Sequence, residues 1–173
     1  MKKIIFGIIT YLFIISCSSD SSDNSSNGTI KWRFKANGVQ YEWSGNYPYT
    51  ASSGQASYLG EPTSAPTISL SSPVISSGNR EIMLTFTFPN ESTGSFTLDD
   101  CQPGNSANLV IGGNSGTGYA TCFGTGEITL NISQMATSTG GITKGTFSGT
   151  MVSVSQQMLP MEITEGSFEV IKL

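Results

Sequence analysis

The chain has 173 residues, with 8 basic and 12 acidic side chains, a net charge of −4, three cysteines and no histidine. The missing histidine removes Ser-His-Asp and Cys-His catalysis and every zinc site that leans on imidazole. The acidic balance disfavours nucleic acid as a partner, because phosphate binding needs clustered Lys and Arg, and the few basic residues are scattered apart from Lys31, Arg33 and Lys35.

Residues 1–16 read as a signal peptide. Lys2 and Lys3 supply the positive start, and residues 4–15 form an uncharged apolar run. That run is shorter than the roughly 20 residues a membrane helix requires, and polar Ser16 to Asp20 follow at once. Ile14-Ile15-Ser16-Cys17 resembles the bacterial lipobox, in which the cysteine becomes the new N-terminus and its thiol takes a diacylglyceryl group. The expected partner is therefore a membrane, held through lipid on Cys17; two or three acyl chains anchor stably where one does so only marginally. Residues 18–28 contain no apolar side chain and so have nothing to bury. With Cys17 they form the tether, and as a flexible coil they would reach roughly 20 Å. Asp20 and Asp23 close behind the cysteine resemble the lipoprotein surface-export signals of the Bacteroidetes. The expected address is the outer membrane, with cell-surface display resting on those two aspartates.

Residues 29–173 are the size of one domain. Apolar side chains there recur at period two, which predicts an all-β domain. Ile30, Trp32 and Phe34 alternate, Asn37-Gly38 is a hairpin turn signal, and Val39, Tyr41 and Trp43 alternate back. Lys31, Arg33 and Lys35 then fall on the solvated face of the first strand. Residues 44–66 read as a long loop or a short irregular edge strand around 55–59. Further strands are expected at 68–70, at 81–88 with apolar even positions, and at 96–98, 109–111, 119–123, 128–132, 147–154 and 163–171. About nine or ten mainly antiparallel strands make a β-sandwich the expected architecture, with a closed, lipocalin-like β-barrel as the alternative.

Once Cys17 is assigned to lipid, Cys101 and Cys122 remain in an oxidising envelope and are predicted to form a disulfide, worth on the order of 3 kcal/mol for a loop of about 20 residues. No phosphate-binding loop and no metal cluster can be assembled, so no metal or other cofactor and no catalytic residue is expected. Carboxylates are the acid–base chemistry that survives, and their spacing gives no pair. Asp99-Asp100 read as solvated turn residues rather than calcium ligands.

Both tryptophans and most tyrosines fall between Trp32 and Tyr58. Trp32, Phe34, Tyr41 and Trp43 are expected to face each other in the core of the hairpin. Tyr47, Tyr49 and Tyr58, in the irregular segment, are the candidates for contact with a ligand, a sugar ring or a partner protein's surface. Gly94-Ser95-Phe96, Gly145-Thr146-Phe147 and Gly166-Ser167-Phe168 share a local form without the fixed period of a repeat array.

The order of these pieces resembles small Bacteroidetes lipoproteins that carry a β-rich domain of unknown function. The resemblance rests on the lipobox and tether, Asn37-Gly38 with Trp43, the strand at 94–98, and an ending built from 128–132, 145–149 and 163–170. It implies fold and address and is silent on activity. The function expected is a non-catalytic cell-envelope binding or interaction module. One alternative is a carrier of a small apolar ligand, its barrel lined by residues such as Met83 or Met151. Another is an accessory protein that binds glycans or processes them with carboxylates.

Overall fold

The computed structural model describes residues 30–45, 52–54, 57–58, 61–62, 67–89, 91–100, 104–112 and 117–172, with the side chains of Ile30, Thr67 and the short pieces between 52 and 62 outside that description. The strands are β1 (Ile30–Ala36), β2 (Val39–Gly45), β3 (Ser52–Gly54), β4 (Ser57–Tyr58), β5 (Glu61–Pro62), β6 (Thr67–Ser71), β7 (Ile75–Ser77), β8 (Arg80–Pro89), β9 (Gly94–Leu98), β10 (Ser106–Ile111), β11 (Thr117–Ala120), β12 (Glu127–Gln134), β13 (Ile142–Ser153) and β14 (Met161–Ile171). The all-β expectation holds. The strand count exceeds nine or ten because β3, β4, β5 and β7 are two or three residues long, too short to leave a periodic pattern.

Every ladder is antiparallel, and twelve strands join in one curled sheet. One layer runs β2-β1-β14-β13-β12-β9. The other runs β11-β10-β8-β6-β3, with β7 sharing the edge of β8 that carries β6. The layers are joined where the end of β13 leaves β12 and pairs with β11, Ser153 opposite Tyr119 and Val152 opposite Ala120. On the far side β2 lies beside β7 with no ladder between them among the described residues. The result is a half-barrel folded over one core, between the two architectures the sequence allowed.

The opening hairpin forms as its sequence dictates. Asn37 and Gly38 both have positive φ (47° and 78°), the pair of values a two-residue type I′ turn needs. Asn37 also fastens the turn to the neighbouring strand: its N–H donates to the Glu162 carbonyl at 2.8 Å, and its Oδ1 accepts from the Glu162 N–H at 2.7 Å. Trp32, Phe34 and Tyr41 are buried, as expected, and Trp43 packs half-buried against the core. Ile82, Leu84, Phe86 and Phe88 of β8 bring the second layer's apolar face to meet them. The ring of Phe86 lies 4.8 Å from Phe147, 6.1 Å from Trp32 and 6.4 Å from Phe168, closing the space between the layers with aromatic contacts.

Two of the three Gly-x-Phe segments explain each other. On β13 and β14, Gly145 lies opposite Phe168 and Phe147 opposite Gly166. A Cβ at Gly166 would sit 2.4 Å from the Phe147 ring, and one at Gly145 would sit 2.6 Å from the Phe168 ring. Each phenylalanine therefore occupies the slot that the opposing glycine leaves empty.

The strand expected at 119–123 is corrected: β11 ends at Ala120, and residues 121–125 turn. Gly126 approaches so closely that a Cβ there would be 2.8 Å from Thr121 Cα, while Thr121 Oγ1 accepts the Ala107 N–H at 3.0 Å. That local closure reverses the chain into β12.

Candidate functional site

The layer β2-β1-β14-β13-β12-β9 has an outer face as polar as its inner face is aromatic. Alternation along β1 buries Trp32, Phe34 and Ala36 and turns Lys31, Arg33 and Lys35 outward, the solvated stripe expected from the sequence. Neighbouring strands continue that stripe. Arg33 lies opposite Ser167, Ser167 opposite Thr146, Thr146 opposite Asn131, and Asn131 opposite Ser95, a row across five strands.

A one-residue bulge in β14 makes the row possible. Met161 and Ile163 point inward, and so do Gly166, Phe168 and Val170, so the inward set changes parity between 163 and 166. Both ladders of β14 shift register there, and Glu165 takes φ 52°, a left-handed conformation uncommon outside glycine and asparagine. The extra residue throws the Glu165 side chain outward, where its carboxylate accepts a hydrogen bond from Lys35 Nζ. That bond is the main reason the Glu165 carboxyl titrates below the usual carboxylate range; partial desolvation opposes it, and the charges of Lys35 and Arg33 reinforce it.

Asn131, Thr146, Phe147, Ser148, Glu165, Gly166 and Ser167 line a shallow open groove of about 410 Å³ on this face. None of the side chains of Asn131, Thr146, Ser148 or Ser167 hydrogen-bonds to another described residue. The groove offers hydroxyls, an amide and a carboxylate with hydrogen-bonding capacity to spare.

A second surface lies at one end of the half-barrel. β1 enters at Ile30 and ends at Ala36, opposite Ile163, so the connection between β13 and β14 sits at the end away from Ile30. Residues 154–160 carry no charge, and Leu159 is 84% exposed, Met158 50% and Val154 48%. The connection has a defined shape. The Val154 N–H donates to the Gly118 carbonyl and the Gln156 N–H to the Ser153 carbonyl, and Tyr119 Oη lies 3.8 Å from Met158 Sδ. Beside it Thr117, Gly118, Val154, Ser155, Gln157 and Met158 border a groove of about 380 Å³.

Of the residues singled out from sequence, Cys17, Tyr47, Tyr49 and Cys101 lie outside the described residues, as does the side chain of Tyr58, which pairs through its backbone with Glu61. Cys122 is disulfide-bonded, and the chain's other two cysteines both lie outside the described residues. Asp99 and Asp100 are exposed at the end of β9, with the Asp100 N–H bonded to the Asn105 carbonyl. Among the described residues no group of three or more acidic or cysteine side chains could hold a metal ion, and no helix is long and apolar enough to cross a membrane. Met83 is 38% exposed and faces away from the interior, because the inward set of β8 is its even positions; Met151 is buried in the core. Sequence reading missed the polar row and the apolar tip. The row joins residues far apart in the chain, whereas the uncharged Val154 to Pro160 run was a local signal for the tip. Comparison with protein-family models, with curated proteins and with solved structures finds no match.

Proposed function

We propose that the chain is a lipid-anchored, non-catalytic interaction module of the bacterial envelope, held in the outer membrane through Cys17 and engaging a partner at the end remote from its tether. The observation that carries this reading is the opposition of the two ends. Chain running from Cys17 along residues 18–28 enters the domain at Ile30, and Leu159, the most exposed large apolar side chain among the described residues, lies with exposed Met158 and Val154 at the other end of β1. Clustered exposed apolar side chains on a built connection mark contact sites more often than single ones do. Burying a leucine there is worth roughly 1.5–3 kcal/mol, enough to dominate a small interface.

The interior supports an external site over an internal one, since the rings of Trp32, Phe86, Phe147 and Phe168 occupy the space between the layers. The test is photo-crosslinking on intact cells from position 159 and, as a control, from exposed Ser92. A discrete protein adduct from 159 that disappears in Met158→Asp, with none from 92, is the result expected. Equal adducts from both positions, or an adduct indifferent to Met158→Asp, would overturn the reading. The anchor is checked on the same cells: Cys17→Ser should abolish fatty-acid labelling and release the chain from the membrane fraction.

A further inference from the structure

We propose that the partner met by the apolar tip is a protein whose contact surface sets lysine and arginine side chains around an apolar centre, and that Glu127 and Glu162 are the charges on this chain that recognise it. This inference rests on the reading of the tip as a contact site and adds the chemistry of what the tip contacts.

The two carboxylates stand beside the tip. β13 runs out into the connection after Ser153 and β14 begins at Met161, so Glu162 is three residues from Leu159 and within about 11 Å of it along the chain. Glu162 lies opposite Thr150, and Thr150 opposite Glu127, which places the two acids on either side of one threonine and about 10 Å apart across the strands. Both are exposed, and neither side chain makes an ion pair or hydrogen bond among the described residues. Exposed Asp99 and Asp100 follow Leu98, whose partner Ile128 adjoins Glu127, and they extend the acidic edge.

Charge is divided between the two ends of these strands. Near the end where the chain enters, Lys31, Glu169 and Lys144 form one row across β1, β14 and β13, and Lys172 pairs with Glu91 just beyond it. At the tip end the row is Glu162, Thr150 and Glu127, with no basic member. Lys35, toward that end of β1, is held by Glu165, and Arg80 at the start of β8 is followed by Glu81. The excess of charge at the tip end is therefore acidic.

A contact surface of this kind has an apolar centre and a polar rim. Here the uncharged residues 154–160 are the centre, and the carboxylates of β12 and β14 are the rim on one side. Rim charges select a partner by complementarity, and they act through the rate of encounter and its dependence on salt. A negatively charged lipid surface would be repelled by this rim. A second copy meeting the tip about a two-fold axis would bring the same acidic edge against itself. A rim of Lys and Arg is attracted.

The experiment places a photo-crosslinker at position 159 of the full chain and measures adduct yield on isolated envelopes at about 0.05 M and about 0.5 M salt, across which screening shortens severalfold. A protein adduct is expected, with a yield that falls at the higher salt and at least about fivefold in the double variant Glu127→Lys with Glu162→Lys. Glu127→Gln with Glu162→Gln should give an intermediate loss. Glu42→Lys with Glu91→Lys makes the same change in net charge away from the tip and should leave the yield unchanged. All four positions are exposed, so circular dichroism should show the parent's fold in each variant. An adduct indifferent to salt or to the reversal at 127 and 162, equal losses in the two lysine variants, or an adduct to lipid or to a second copy of this chain would each overturn the proposal. An adduct that disappears in Met158→Asp but survives the reversal leaves the contact site standing and removes only its acidic specificity, whereas no adduct from position 159 in the parent ends both.

Discussion

The two faces of the β13-β14 ribbon are built on the same backbone and follow opposite rules. On the inner face Gly145 and Gly166 leave slots that Phe168 and Phe147 fill, and displacement by a single methyl brings atoms within 2.4–2.6 Å. On the outer face Ser148, Thr146, Ser167 and Glu165 stand in an open groove, and none of the three hydroxyls has a hydrogen-bond partner among the described residues. The same ladder is thus over-determined on one side and free on the other. Sequence change should be punished inward and tolerated outward, which is how a scaffold can hold a surface constant while leaving that surface available to a ligand.

The comparison can be broken most forcefully at Phe147, which touches Trp32, Phe34, Phe86 and Phe168. Phe147→Ala should cost about 3–5 kcal/mol in urea unfolding, through lost burial and the cavity left behind. Next in size is Gly166→Ala. It should cost about 1–3 kcal/mol even though it adds apolar surface, because the new methyl meets both the Phe147 ring and the Phe147 carbonyl oxygen. A stabilising or neutral Gly166→Ala would mean that the rings and glycines are not interlocked.

The smallest effect is outward, at the exposed pair of Glu165 and Lys35. Glu165 titrates below the usual carboxylate range in the folded chain, so any stability it lends is present above its unfolded pKa and is lost as pH falls through the lower folded value. Glu165→Gln should therefore lower the denaturation midpoint slightly at neutral pH and not at all once the medium is more acidic than the folded pKa, as parallel urea titrations would show. Solvent screening keeps that difference small.

Much of the inner face is legible in the sequence alone. The alternation of Trp32 and Phe34, the even positions of β8, the Asn37-Gly38 turn and the run Ile128, Leu130, Ile132 state their side of the sheet locally, because strand parity is a property of neighbours two apart. The repeated Gly-x-Phe form was visible as well, but its meaning needed the register of β13 against β14. The parity change in β14 was written in the chain, with Met161 and Ile163 odd and Phe168 and Val170 even. Read as a single strand, however, it hides the bulge.

The outer row was illegible for a different reason. Arg33, Ser95, Asn131, Thr146 and Ser167 come together only through four ladders, and each alone is an ordinary polar residue on a solvated face. The tyrosines favoured from sequence, Tyr47, Tyr49 and Tyr58, stood out because aromatic clusters are conspicuous in one dimension. Hydroxyls aligned by register are not.

The bulge at Glu165 lets the same strand point Ile163 and Phe168 inward while opening the polar groove outside. The most direct measurement is urea unfolding of two variants side by side, deletion of Glu165 and Glu165→Gly. The substitution keeps the extra residue and suits its positive φ, so it should unfold cooperatively with a midpoint near that of the parent. Deletion should force Phe168 and Val170 toward solvent and abolish the cooperative transition. A deletion variant that unfolds cooperatively at the parent's midpoint would contradict the account.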